Sequence, residues 1–118
     1  MSVFRFRRFS VENVESAMKV NTDGVLLGAL MTVRSSDRKC LDVGTGTGTI
    51  ALMAAQRLSD ITARESAEGI APSGAGVRDA SAVIFGIDID GASAREAGRN
   101  FAASPWPGML AAVHSSLE

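Results

Sequence analysis

The feature that most constrains the fold is a glycine-rich segment that joins a short apolar strand to a helix. It contains Gly44, Gly46 and Gly48, and an acid, Asp42, stands two residues before the first glycine. Glycines let the backbone turn sharply and allow a ligand to approach it closely. A loop of this composition at the end of a strand therefore predicts a small-molecule site on an α/β scaffold.

Three nucleotide-binding patterns compete for this segment. A P-loop requires a lysine directly after its last glycine, whereas Thr49 and Ile50 follow Gly48. A dinucleotide loop requires G-x-G-x-x-G, and Thr49 stands where its last glycine should be. The third pattern, G-x-G-x-G preceded by an acid, is typical of class I S-adenosylmethionine (SAM) methyltransferases. A tight strand-to-helix turn without a ligand is the remaining alternative.

The charge of the ligand favours the third pattern. A carboxylate at Asp42 would repel the pyrophosphate of a dinucleotide, but it would stabilise the ammonium and sulfonium groups of SAM. A second acid, Asp88, lies at the end of the next apolar segment, where its carboxylate could accept hydrogen bonds from both ribose hydroxyls. Asp90 is better explained as a helix cap.

The order of strands and helices predicts βαβ units and a parallel sheet. Residues 59 to 82 contain no aromatic residue and few large aliphatic ones, so they are predicted to be a disordered insertion. The helix at residues 22 to 31 has almost no polar face and is predicted to be buried, with Thr22 as its cap. The predicted strands are 3–9, 39–43, 83–89 and 109–113; the predicted helices are 22–31, 50–58 and 91–103.

Composition limits the functions that the chain can have. The net charge is −1 over 118 residues, so the chain as a whole is not a polyanion-binding protein. Arg5, Arg7 and Arg8 form a local basic patch that could either contact RNA phosphates or keep an edge strand soluble. We find no segment long and apolar enough for a membrane span, and one cysteine cannot form an internal disulfide. These features indicate a cytoplasmic protein.

Three single side chains have structural rather than catalytic interpretations. His114 is the only histidine, so it has no second histidine with which to form a metal site. Trp106 lies between two prolines and is predicted to anchor its loop by packing. Cys40 lies beside Leu41 and is predicted to be a buried thiol.

Several segments together resemble the bacterial tRNA(Val) adenine-N6 methyltransferases. Phe4-x-Phe6-x-x-Phe9, the run from residue 17 to residue 29, and Ser104-Pro105-Trp106 carry the resemblance, which covers nearly the whole chain except residues 59 to 82. It implies an α/β fold: the N-terminal half of a Rossmann-like class I methyltransferase sheet, with helices on both faces and a short N-terminal strand and helix in front. It also implies SAM as the cofactor and tRNA as the partner.

The resemblance assigns roles to nine residues, all toward the cofactor. Asp42 and the three glycines would contact the methionine part of SAM, and Asp88 would hold the ribose. Ser116 would border the adenine. The N-terminal side of the pocket would be closed by Lys19, Thr22 and Asp23, although a surface role is equally consistent with the sequence at Lys19.

The sequence departs from the family in one respect. Enzymes of this type carry an Asn-Pro-Pro-Tyr motif that holds the reacting amine, and this chain contains no tyrosine. We therefore expect an N-terminal fragment or truncated gene product, inactive alone and able to self-associate through an uncovered sheet edge. A non-catalytic SAM-binding fragment and a methyltransferase for proteins or small molecules are the alternatives. The predicted parts are an extension (1–38), the first strand, loop and helix (39–58), the insertion (59–82) and the remainder (83–118).

Overall fold

A computed structural model describes residues 2–16, 19–69 and 82–116. The chain begins with a hairpin of two antiparallel strands, β1 (Val3–Arg5) and β2 (Ser10–Glu12). The single strand predicted over residues 3 to 9 is therefore wrong beyond Arg5. The chain turns there because the N–H of Phe6 donates to the carbonyl of Phe9 over 2.9 Å, and the two rings stack with centroids 4.6 Å apart.

The first helix, α1 (Thr22–Leu30), is capped by Asn21, whose side-chain oxygen accepts from the N–H of Gly24 over 2.9 Å. The predicted cap, Thr22, is instead the first helical residue. The prediction that α1 is buried is wrong. Only the face around Gly28 is covered, by the second helix, and Leu30 on the other side is 79% exposed.

A parallel sheet of three strands confirms the predicted α/β class. The strands are β3 (Lys39–Val43), β4 (Val83–Asp88) and β5 (Leu110–His114), in that spatial order. The register places Val43 beside Ile87 and Asp88 beside His114. The ends of all three strands therefore meet at one edge, where the glycine loop also begins. Strand ends differ from the predicted ones by a residue or less.

The second helix, α2 (Thr49–Ala67), is longer than the predicted 50–58. Residues 59 to 67 are helical, so the predicted insertion does not begin at residue 59. Alanine, arginine and glutamate favour a helix in this stretch. Both carboxylate oxygens of Asp60 also accept from Arg8 over 2.8 Å. Residues 70 to 81 lie outside the described residues, and the prediction for them is untested.

The third helix, α3 (Gly91–Ala103), has the predicted bounds and the predicted cap. Oδ2 of Asp90 accepts from the N–H and the hydroxyl of Ser93, over 3.2 and 2.8 Å. Ala94, Ala97 and Phe101 are buried and form the apolar stripe of this helix. A short 3-10 turn (Pro107–Met109) then leads into β5.

Trp106 is the packing anchor that the sequence predicted. Its ring is buried and meets the edge of Phe9 with centroids 5.7 Å apart, which joins the N-terminal hairpin to the core. The core itself is centred on Leu52 of α2 and Ile84 of β4, which are almost completely inaccessible. Within the described residues, no helix is long and apolar enough to cross a lipid bilayer.

Candidate functional site

The three glycines of the loop adopt left-handed backbone conformations, but their surroundings differ. Gly48 has φ +90°, and a Cβ at this position would lie 2.6 Å from the ring of Phe101. Gly44 has φ +70°, and an added Cβ would meet nothing within 4 Å. Gly48 is thus required where the loop packs on α3, whereas Gly44 leaves open space for a ligand.

Asp88 links the glycine loop to the beginning of α3. Its Oδ2 accepts from the N–H of Gly46 over 2.9 Å, and its Oδ1 accepts from the N–H of Asp90 over 2.9 Å. A carboxylate has about four acceptor positions, so each oxygen can still accept a second hydrogen bond. Asp88 can therefore hold the loop and a pair of hydroxyl groups at the same time.

Asp42 lies beneath the loop. Its Oδ2 accepts from the hydroxyl of Thr45 over 2.8 Å, and the backbone N–H of Ala51 also donates to its carboxylate. Burial raises the pKa of Asp42, and the negative charge of Asp88 acts in the same direction; the two hydrogen bonds oppose the shift in part. The carboxylate therefore supports the loop and the first turn of α2 directly.

Two cavities meet at Gly44. The first has a volume of about 270 Å³ and lies at the carboxyl ends of the parallel strands. It is lined by Val43, Gly44, Ile87, Asp88, Ile89, Ser115 and Ser116. The second has a volume of about 80 Å³ and lies between the loop and the part of the chain that leads from β2 into α1, here called the N-terminal segment. It is lined by Lys19, Val20, Asn21, Gly24, Gly44, Thr45, Gly46, Thr47, Thr49 and Ile50.

The predicted site residues fall into two groups in this arrangement. The cavity walls contain Lys19, Gly44, Gly46, Asp88 and Ser116. The other four predicted residues do not line either of these two cavities. Asp42 and Gly48 support the loop; Thr22 borders a separate cavity of about 290 Å³; Asp23 is exposed in the first turn of α1.

Lys19 is held in place by the N-terminal segment. Its Nζ donates to the carbonyls of Asn13 and Val14, over 3.0 and 2.9 Å. An ammonium group with three donors can satisfy both carbonyls and still donate once more. Lys19 thus lines the second cavity as an ordered cation.

Sequence reasoning missed a buried polar face on α3. Ser93, Glu96 and Asn100 are all buried, and they lie at positions i, i+3 and i+7 of one helix. Their spacing was the available signal: the three polar residues form one face beside the apolar stripe of Ala94, Ala97 and Phe101, and such a polar face would ordinarily be exposed to solvent. Here the N-terminal segment covers them.

Gly86 of β4 was also missed. A Cβ there would lie 2.6 Å from the hydroxyl oxygen of Thr45 and 3.0 Å from the ring of Phe101. The loop can approach the middle strand only because residue 86 has no side chain. A lone glycine inside an apolar strand is the signal that could have indicated this approach.

Comparison with known proteins identifies relatives that cover nearly all of the chain. It is 41% identical over 110 residues to the tRNA1(Val) (adenine(37)-N6)-methyltransferase of Bacteroides fragilis, covering 93% of this chain and 37% of that protein. The enzymes of the same name from Actinobacillus succinogenes and Pedobacter heparinus are 43% and 35% identical, over 87% and 99% of this chain. The chain spans 35% and 41% of their lengths. No protein-family model matches the chain.

Proposed function

We propose that the chain supplies the SAM-binding part of an enzyme like the tRNA1(Val) (adenine(37)-N6)-methyltransferases, to which it is similar over nearly its whole length. The methyl acceptor would then be the N6 amine of adenine 37 in this tRNA. A tRNA substrate would also mean that the protein acts in the cytoplasm.

The observation that carries the proposal is the pair of cavities joined at Gly44. The first cavity combines an acceptor for hydroxyl groups, Asp88, with apolar walls at Val43 and Ile89. Ile89 is 76% exposed, so its side chain is available to cover a flat ring. A nucleoside has this combination of a diol and an aromatic base, and Ser116 would border the base.

The second cavity has a different chemical character, which suits the amino-acid end of the cofactor. Gly44 and Gly46 line one wall, and Lys19 lines the opposite side. Lys19 could pair with the carboxylate of the methionine part. The half-buried negative charges of Asp42 and Asp88 nearby would favour the ammonium and the sulfonium.

These residues would bind and orient the methyl donor. SAM supplies an electrophilic methyl group on its sulfonium. The chain's own contribution is to hold the ribose at Asp88 and to keep the loop backbone close to the methionine part. The sequence contains no Asn-Pro-Pro-Tyr motif that could hold an adenine amine. We therefore propose that the chain binds the donor and that the chain alone transfers no methyl group.

Calorimetric titration with SAM, S-adenosylhomocysteine and NAD tests the binding proposal. We expect SAM and S-adenosylhomocysteine to bind and NAD to bind more weakly, because a carboxylate at Asp42 would repel its pyrophosphate. Asp60→Asn is the matched control for substitution of Asp42 or Asp88, since Asp60 is an acid on the outer part of α2 that pairs with Arg8. Equal or tighter binding of NAD would overturn the proposed ligand.

A methyl-transfer assay tests the substrate. Incubation of valine tRNA with labelled SAM and the purified chain should incorporate no label. Incorporation by the 118-residue chain would contradict the proposed division of function. Incorporation into a protein or small molecule, but not into tRNA, would overturn the proposed substrate class.

A further inference from the structure

The N-terminal segment is held on α3 by buried polar side chains and not by apolar packing alone. Ser93, Glu96 and Asn100 are 3%, 0% and 3% exposed, respectively. The hydroxyl oxygens of Ser93 and Ser16 lie 3.1 Å apart, within hydrogen-bond distance. The other two side chains bind backbone groups of residues 12 to 16, more than 75 residues earlier in the chain, as their hydrogen bonds show.

Asn100 joins this segment to the glycine loop with a single amide group. Its Oδ1 accepts from the N–H of Glu12 over 2.7 Å, and its Nδ2 donates to the carbonyl of Glu12 over 3.1 Å. The same Nδ2 donates to the carbonyl of Thr47 over 2.8 Å. The acceptor and both donor hydrogens are therefore used, and one side chain connects β2, α3 and the loop.

Glu96 anchors the next residues of the segment. Its Oε2 accepts from the N–H groups of Val14 and Glu15, both over 2.7 Å, and its Oε1 accepts from the N–H of Ser16 over 2.9 Å. Burial alone would raise the pKa of Glu96, but these three donors and the nearby Lys19 together hold it below its usual value. The carboxylate is therefore charged at neutral pH, and both of its oxygens are bonded to the segment.

The anchored segment leads directly to a wall of the second cavity. Residues 12 to 16 are fixed by α3, and Lys19 is then bonded back to Asn13 and Val14. Lys19, Val20, Asn21 and Gly24 face the glycine loop across this cavity. Both walls of the cavity are therefore attached to the same helix, one through Glu96 and the other through Asn100.

We infer that Asn100 and Glu96 are positioning residues, which set the glycine loop and the N-terminal segment at the separation that forms the cofactor cavity. Removal of the Asn100 amide takes a partner from the buried carbonyl of Thr47 and from the partly buried N–H of Glu12, which favours opening of the loop. The identity of the ligand rests on the proposed function; the effect on the loop does not.

Hydrogen exchange of backbone amides measures this role without any ligand. The informative amides are those of Gly46, bonded to Asp88, and Gly48, bonded to the carbonyl of Thr45. Asn100→Ala should accelerate exchange at both amides by about tenfold or more, while amides within β4 and β5 keep their protection. Affinity for S-adenosylhomocysteine should fall by a similar factor.

Two conservative variants separate the two attachments. Asn100→Asp keeps the acceptor for the N–H of Glu12 but loses both donors, so the loop should loosen while Glu12 stays protected. Glu96→Gln replaces one carboxylate oxygen with a donor, so amides from Val14 to Ser16 should exchange faster and the loop amides less so. Arg99→Ala is the control, because it removes only exposed ion pairs from α3 to Glu12 and Glu15.

The outcomes distinguish this inference from the proposed function. Loosened loop amides in Asn100→Ala, with no S-adenosylhomocysteine binding by the unsubstituted chain, would support the positioning role and overturn the proposed ligand. Unchanged exchange at Gly46 and Gly48 in folded Asn100→Ala would overturn the positioning role. A uniform rise in exchange across the sheet would also overturn it, since Asn100 would then stabilise only the fold as a whole.

Discussion

The backbone N–H of Gly46 donates to Oδ2 of Asp88 over 2.9 Å, between residues 42 positions apart in the chain. This bond joins the glycine loop after β3 to the end of β4. An acid assigned to ligand binding is therefore also part of the loop's support. Substitutions at Asp88 should change both the stability of the loop and the affinity for a ligand, and the two effects need separate measurements.

Asp88→Ala should weaken SAM binding by roughly 1–3 kcal/mol, because it removes the proposed acceptor for the ribose hydroxyls and leaves the N–H of Gly46 without its partner. Calorimetry gives the affinity, and thermal unfolding without ligand gives the cost to the fold. Asp88→Asn keeps an acceptor and should cost less on both measures. An unchanged SAM affinity in Asp88→Ala would contradict the role of this residue.

Gly48→Ala should destabilise the protein more than Gly44→Ala. Both positions have positive φ, so both substitutions incur backbone strain of about 1 kcal/mol or more. Only the Gly48 variant also forces a methyl group to within 2.6 Å of Phe101. Urea unfolding of the two variants should show the difference, and equal losses of stability would contradict the close packing of the loop on α3.

The pH dependence of stability should carry a contribution from Asp42. Its folded pKa is raised above the ordinary value of 3.8, so the folded state holds this proton more tightly than the unfolded state. Its contribution to the free energy of unfolding should therefore fall as the pH rises from 3.8 through the folded pKa. Asp42→Asn should remove this decline in urea unfolding curves collected across that range; an unchanged slope would refute the assignment.

Glu96 should have the opposite effect at lower pH. Its folded pKa lies below the ordinary value of 4.5, so its stabilising contribution is complete above that pH and is lost as the pH falls through the folded pKa. Glu96→Gln should lower stability at neutral pH and show less further loss in acid. Parallel acid-unfolding curves for the two proteins would show that Glu96 does not titrate as the structure implies.

Self-association should depend on the exposed side of α1 and on strand β3. Leu26, Leu27 and Leu30 are more than half exposed, and among the described strands β3 pairs only with β4. A free strand edge beside apolar side chains favours edge-to-edge contacts. Light scattering over a dilution series should show association that Leu27→Glu with Leu30→Glu reduces. An unsubstituted chain that stays monomeric at every concentration would contradict the predicted self-association.

Local patterns predicted most of the regular elements. Helix α3 has the predicted bounds because its cap, Asp90, and its apolar spacing are both local signals. Strand β3 was predicted from its short apolar run, which is also a local signal. The hairpin was not, since the alternation of Phe4, Arg5 and Phe6 is compatible with a longer strand, and the turn depends on how three rings pack together.

The sequence by itself determined the glycine loop, the two acids at strand ends, the α/β class and the resemblance to tRNA methyltransferases. Only the tertiary structure decided which predicted residues line a cavity and which support it. Asp42 and Gly48 carry the right chemistry for a site, yet one bonds beneath the loop and the other packs on Phe101. The roles of Glu96 and Asn100 arise from contacts more than 50 residues apart, and no local pattern encodes which segment will cover a polar helix face.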